Sequence, residues 1–324
     1  MSLHASRLVP ALACALAALV SPPARASCGS AYCSLNTDLA AEATGVAEGG
    51  LFDLRYERIR QDQPRSGGRR VQVGEIARHH DEVRTTNQNL IASYSRTFAS
   101  GWGFSVTEPL VDRDHLHIHN HRGAQQPQAW HFTEPGDLRV TGRYQATLPA
   151  ATDGGARTVG AIFGLKLPTG RTNIANGAGD VAERSLQPGT GTTDAIVGAF
   201  VHQQLPRQDA SWFAQAQYQR PLGSRAGYRP GAQFSADVGY AKALADRLSG
   251  IVQVNAVFKG RDRGAEAEPA DSGSRAFFVS PGASYQLSAL VRAYAFVQQP
   301  LHQHVNGVQL TARRAVVLGV ATRF

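Results

Sequence analysis

Four histidines, His115, His117, His119 and His121, occupy every second position of the segment HLHIHNH. In an extended chain that period puts all four imidazoles on one face. Imidazole nitrogens suit zinc, copper and nickel, and Asp112 and Asp114 beside the run offer oxygen donors. His79, His80, His131, His302 and His304 fall between strand-like stretches, where they can meet the first four along one sector of a rim; His202 sits within such a stretch. One reading is therefore a transition-metal site, for zinc or copper, in which His79, His80, His302 and His304 complete the ligand set. The other is a solvated rim of histidines bonded to neighbouring loops. Neither requires a cofactor.

Other chemistry is harder to assemble. Cys28 and Cys33 have four residues between them, which favours a small disulfide loop over a redox pair, whose spacing is two residues, or a metal site, which needs more ligands. Ser93 and Ser95 have no strand histidine beside them, so spacing alone yields no nucleophile with a base, and no enzymatic activity is expected. The Gly-rich stretches GLKLPTG (164–170) and SLQPGTGTTD (185–194) lack the Gly-Lys-Ser/Thr of a phosphate loop and precede no helical pattern. They read as loop architecture in which Gly170, Gly177, Gly179, Gly189 and Gly191 permit tight turns that narrow a mouth. The formal charge of +8 falls by two without Arg7 and Arg25, and the basic residues are scattered among acids, so no nucleic-acid partner is expected.

The elements that must hold these residues are strands. Arg314–Phe324 alternates Val316, Leu318, Val320 and Phe324 against Ala315, Val317, Gly319 and Arg323, and ends on the last residue of the sequence. Such an uncovered edge is a liability in water, but in an outer-membrane barrel it closes the ring, and a terminal Phe324 resembles the signal read by the barrel assembly machinery. At the other end Arg7, the apolar run Leu8–Val20 and Ala24-Arg25-Ala26 make a signal peptide over 1–26, too short for the roughly 20 residues of a spanning helix. Residues 27–49 show no alternation and form a periplasmic lead-in or a plug. Residues 50–324 then carry the barrel.

Twelve alternating segments follow: Leu51–Arg60, Asn89–Phe98, Trp102–Val111, Asp137–Leu148, Thr158–Leu167, Asp194–Leu205, Trp212–Arg220, Gln233–Leu244, Gly250–Arg261, Arg275–Leu287, Val291–Gln299 and Leu310–Phe324. Aromatic residues recur near their ends, as interfacial girdles require, and prolines sit at their borders, with Pro281 alone inside a segment and suggesting a bulge. Short and long connections alternate, as expected for periplasmic turns and external loops. The expected fold is an all-β, transmembrane, antiparallel up-and-down barrel in the outer membrane of a Gram-negative bacterium, in contact with its lipid. Arg55, Arg139, Arg143, Lys166, Gln215, Gln217, Asn255 and Lys259 fall on the face expected to line the lumen and to tune selectivity.

The two Gly-rich elements, Gly136-Asp137 following Trp130, and the His-rich stretch after the third segment resemble the phenol meta-pathway degradation family of outer-membrane proteins over most of the chain beyond residue 26. The resemblance implies a transporter-type barrel for a small solute, hydrophobic or aromatic in kind. A structural or metal-binding barrel without a pore is the alternative.

Overall fold

The computed structural model describes Leu35 and residues 48–76, 81–121, 124–148 and 155–324, the side chains of Asn120, His121 and Ala124 excepted. The expected signal peptide and the Cys28–Cys33 pair lie outside the described residues, as do His79 and His80.

Fourteen strands are present among the described residues: β1 (Gly49–Ser66), β2 (Arg69–Arg70), β3 (Asp81–Thr97), β4 (Trp102–His121), β5 (Ala124–Pro135), β6 (Arg139–Leu148), β7 (Arg157–Lys166), β8 (Asp194–Leu205), β9 (Ala210–Pro221), β10 (Gln233–Ala245), β11 (Leu248–Lys259), β12 (Ser274–Gln286), β13 (Val291–Val305) and β14 (Val308–Arg323). Twelve form a closed antiparallel wall, with β2 and β5 as extra strands beside β1 and β4. Closure runs along β1 and β14, from Leu51 opposite Arg323 to Ser66 opposite Val308. It is completed at the last residue: Gly50 N–H donates to Phe324 O at 2.7 Å and Phe324 N–H to Gly50 O at 3.1 Å. The Phe324 ring stacks on Tyr94, with centroids 6.0 Å apart.

Period-two alternation explains which side faces what. Along β1, Phe52 and Leu54 point outward and are exposed, while Asp53 and Glu57 are buried inside. Leu90, Val140, Phe163, Val197, Val238, Val254 and Leu318 continue the outer apolar surface around the ring. A soluble monomer rarely exposes an apolar patch above a few hundred Å², and an outward apolar band of this kind is the pattern of a membrane β-barrel. Trp102, Tyr144, Tyr240 and Tyr285 are outward aromatics near the short-turn end, with Trp102 and Tyr144 at 5.0 Å, and Tyr218, Phe234 and Phe258 stand near the other. Among the described residues no helix is long and apolar enough to cross a membrane.

The turns at 98–101, 206–209, 246–247 and 287–290 lie at the end of the barrel that holds Gly49 and Phe324. The opposite end carries the longer connections, except that 306–307 alone joins β13 to β14. There the wall rises further than the alternation suggested. β1 continues to Ser66, β3 starts at Asp81, and the expected His-rich loop is instead a hairpin in which β4 pairs with β5 from Leu110↔Pro135 to His121↔Ala124. His302 and His304 likewise lie in β13 rather than in a loop. The prolines also behave differently from expectation. Pro109 lies inside β4, where its neighbour changes from β6 (Thr107↔Arg139) to β5, so its missing N–H falls at a gap in the ladder. Pro281 produces no bulge: pairing of β12 to β13 lapses between Val279↔Gln299 and Gly282↔Phe296 and resumes in the same register. The bulge is at Leu301, after Pro300, where Phe278↔Pro300 is followed by Phe277↔His302.

Candidate functional site: the lumen and its folded-in loop

The site is the inside of the barrel, and it has two zones. Near the short-turn end the inward face is apolar: Phe200, Phe213, Ile251, Tyr294, Phe296 and Val317 pack into one buried cluster with Leu51 and Ile59. Leu35, from the stretch before the barrel, is buried in that cluster. Tyr294 anchors its phenol by donating to Asp53 Oδ2 at 2.7 Å. Beside it lies a polar network centred on Asn255, whose Nδ2 donates to Asp237 Oδ1 at 2.8 Å and whose Oδ1 accepts from Ser280 Oγ at 2.6 Å and Gln298 Nε2 at 3.3 Å.

Above these zones a cavity of about 420 Å³ opens toward the long-loop end. Of the residues expected in the lumen, Arg55, Arg139, Lys166, Gln215, Gln217 and Lys259 line it. Asn255 faces inward within the network just described, and Arg143 lines a second cavity, at the short-turn end with Leu51, Arg323 and Phe324. Three of the cations in the main cavity have close polar partners. Arg55 Nε lies 2.9 Å from Glu57 Oε1, Arg139 donates to Gln219 Oε1 at 3.1 Å, and Lys259 Nζ lies 3.5 Å from Asp262 Oδ1.

The loop 167–193 folds into this cavity, contributing Arg184, Ser185, Gln187, Pro188 and Thr190 to its wall. The two Gly-rich motifs are what anchor it. Lys166 Nζ is buried and donates to Asp137 Oδ2 at 2.6 Å, to Thr192 O at 3.0 Å and to Thr190 Oγ1, with Asp194 Oδ2 at 3.5 Å. Asp137 also accepts from Gly170 N–H at 3.1 Å, Thr190 N–H at 2.9 Å and Thr190 Oγ1 at 2.9 Å. A buried carboxylate is tolerated only with such compensation. The loop's arms cross where Gly170 meets Gly189: a Cβ on Gly189 would lie 2.3 Å from Gly170 O. Gln187 then ties the loop to itself, accepting from Ile174 N–H at 2.8 Å and donating to Ala182 O at 2.8 Å, while Arg113 from β4 donates to Leu186 O.

A neighbouring contact seals the loop against 222–232 and 260–273. Arg184 lies over the Tyr228 ring at 5.1 Å, and Tyr228 OH donates to Asp262 Oδ2 at 2.8 Å. Burial, with the Asp262 carboxylate second, pushes the Tyr228 phenol well above its ordinary range. Burial also lowers the Arg184 guanidinium from its usual value.

The histidines separate. His115 and His117 are buried on the inner face of β4, and His119 follows on the same strand. His131 is exposed on β5; His302 is exposed on β13 with its ring 6.3 Å from Phe277, and His304 lies at the cavity mouth. His302 and His304 belong to β13, which β14 and β1 separate from the β3–β4 pair around the ring, and among the described residues they are not grouped with His115 and His117. Sequence reasoning missed Asp137 and Asp194 as anchors and Glu82 as a neighbour of the histidines. Asp194 was visible only as the last residue of the second Gly-rich motif, and Asp137 only in the Gly136-Asp137 pair that opens the fourth segment.

A closed antiparallel barrel with an apolar outside, an inside that is polar above an apolar cluster, and an inward loop defines the class of porin-like outer-membrane barrels. The fold is similar to that of the COG4313 outer membrane channel from Pseudomonas putida F1, with a TM-score of 0.62 at 13% identity, covering 86% of this chain and 97% of that one. More distant likenesses are to the KdgM porin in complex with disordered oligogalacturonate (TM-score 0.42, 10% identity, 85% and 99% coverage) and a Pseudomonas aeruginosa FadL homologue (0.41, 10%, 85% and 90%). No curated protein matches the sequence. The profile of the family described as "Putative MetA-pathway of phenol degradation" matches residues 82–315, more than half of the chain, and the protein belongs to that family.

Proposed function

We propose that the protein is an outer-membrane channel of a Gram-negative bacterium that admits a small solute with an apolar or aromatic body through a polar mouth. The observation that carries this reading is the lumen itself. A cavity of about 420 Å³, walled by Arg55, Arg139, Gln215, Gln217 and Lys259, is also lined by Leu35, Ile59 and Ala315, which belong to the same buried apolar cluster as Phe200, Phe213 and Phe296. Pockets of about 300–1,000 Å³ suit small molecules, with apolar lining to take the body of the ligand and a few polar groups to fix its orientation. The loop 167–193 restricts the mouth and so sets the size limit.

The lead-in over 27–49 acts on this reading as a plug from the periplasmic side, which the burial of Leu35 in that cluster supports. Phe324 serves as the contact for the assembly machinery. Passage rather than catalysis is the role assigned to the lining residues, and lipid and the solute are the partners.

Uptake in a deletion strain tests the reading. Loss of growth on, or accumulation of, aromatic acids, restored by the wild-type gene and not by one whose lumen is blocked, is expected. Unchanged uptake of every small solute tried would favour a barrel that is structural or metal-binding without a pore.

A further inference from the structure

Where the barrel wall rises above the lumen, β3 and β4 bring together three side chains that the channel reading leaves unused. Glu82 stands directly opposite His117 and Thr85 opposite His115 in the antiparallel register. One ligand atom each from Glu82, His115 and His117 lies within 4.8 Å of the others, and all three residues are buried. We propose that Glu82, His115 and His117 form a site for one divalent transition-metal ion of the zinc and copper class.

The geometry of the two rings carries the proposal. His115 Nε2 and His117 Nδ1 face each other at 3.3 Å. Two nitrogens held at about 2.0–2.1 Å from a tetrahedral zinc ion are themselves about 3.3–3.4 Å apart. The remote nitrogens are held as ligating imidazoles usually are, by a partner that fixes the ring: His115 Nδ1 is 2.8 Å from Thr85 Oγ1, and His117 Nε2 is 2.9 Å from Gln128 Oε1. The metal-free arrangement satisfies both rings when the Thr85 hydroxyl donates to His115 Nδ1, His115 Nε2–H to His117 Nδ1, and His117 Nε2–H to Gln128. Entry of a metal moves the His115 proton from Nε2 to Nδ1, where it is donated back to Thr85 Oγ1 as the hydroxyl rotates. No proton is lost from either imidazole.

Donor chemistry selects the metal. Two imidazoles and one carboxylate suit zinc, copper and nickel better than calcium or magnesium, which take oxygen ligands. Three protein ligands also leave one position for water or an external ligand. Trp130 packs against both rings, at 5.8 Å from His115 and 4.9 Å from His117, and donates to Asp180 O of the folded-in loop at 2.8 Å. A metal held there would brace β3, β4 and the loop together and would sit next to a fluorescent reporter.

The test titrates zinc alone into untagged, EDTA-treated full-length protein in detergent, by calorimetry. Wild type is expected to take up one zinc per chain. Glu82→Gln and His117→Gln should each weaken it about tenfold or more, and His131→Ala with His302→Ala, on exposed rings, should leave it unchanged. Heat-modifiable migration reports whether each variant folds. Independently of them, copper should quench the wild-type tryptophan fluorescence far more than that of Trp130→Phe. Absence of zinc uptake, wild-type affinity in Glu82→Gln or His117→Gln, loss in the His131/His302 variant instead, or equal quenching with and without Trp130 would overturn the site.

Discussion

Replacing Asp137 by alanine should free the folded-in loop without unfolding the barrel. Asp137 receives four hydrogen bonds, from Lys166 at 2.6 Å, Gly170 N–H at 3.1 Å, and Thr190 N–H and Oγ1 at 2.9 Å. Breaking a buried ion pair by removing one partner costs about 3–5 kcal/mol. The lower end applies here, because Asp194 at 3.5 Å and Thr192 O still face the Lys166 ammonium. None of the twelve wall ladders passes through this carboxylate, so the loss falls on the loop. A loss of about 3 kcal/mol raises the released population roughly a hundredfold, at tenfold per 1.4 kcal/mol. Cleavage follows the open population when opening and closing are fast. Trypsin should therefore cut the variant at Arg171 or Arg184 about a hundred times faster than wild type, with the barrel still heat-modifiable. Single channels of the variant should show a larger, noisier conductance. Asp137→Asn, which keeps one acceptor oxygen, should fall between the two. Unchanged cleavage and conductance in Asp137→Ala would refute the assignment of this cluster as the loop's anchor.

Cysteines placed at Gln126 in β5 and Gly264 in the 260–273 connection should react with an impermeant reagent on intact cells, and one at Gly101 should not; labelling at Gly101 alone would invert the topology. Deleting Phe324 removes two backbone hydrogen bonds and a ring stack, about 2–4 kcal/mol together, so refolding in detergent should survive while the yield of folded barrel in cells collapses. Equal loss in both settings would mean Phe324 matters for stability and not for recognition. Alkaline titration followed by tyrosinate absorbance should find one phenol, absent in Tyr228→Phe, that ionises well above the others. Its raised value means a contribution to stability that is complete below about pH 10 and lost as pH climbs through the folded-state value. A Tyr228→Phe protein with the same alkaline titration curve would contradict this.

The barrel was legible because one physical requirement repeats at every strand. A wall between lipid and a polar lumen must alternate, as Phe52, Leu54 and Tyr56 do against Asp53, Arg55 and Glu57, and turns must fall between. Above the membrane that requirement ends, and with it the signal. Ala124–Pro135 lies beyond the stretch where β4 pairs with β6, shows no clean alternation, and holds as a strand through pairing with β4. The alternating histidines, with Leu116 and Ile118 on the opposite side, were a strand signature in their own right, read instead as a loop because they fall in the long stretch between the segments Trp102–Val111 and Asp137–Leu148. Glu82 was hidden by a bulge. Counting residue for residue from the 98–101 turn would set Val83 against His117, but the irregularity between Glu82 and Arg84 brings Glu82 there. Asp137 and Lys166 are 29 positions apart, and only the pairing of β6 with β7 reveals that they meet.

The central claim is that the lumen conducts. Purified protein reconstituted in planar bilayers, with liposome swelling in sugars, aromatic acids and metal salts, measures this directly. The account predicts discrete channel openings and swelling with small aromatic acids ahead of sugars, both enlarged by Asp137→Ala. Silent bilayers and no swelling with any solute, from protein shown to be folded, would contradict it.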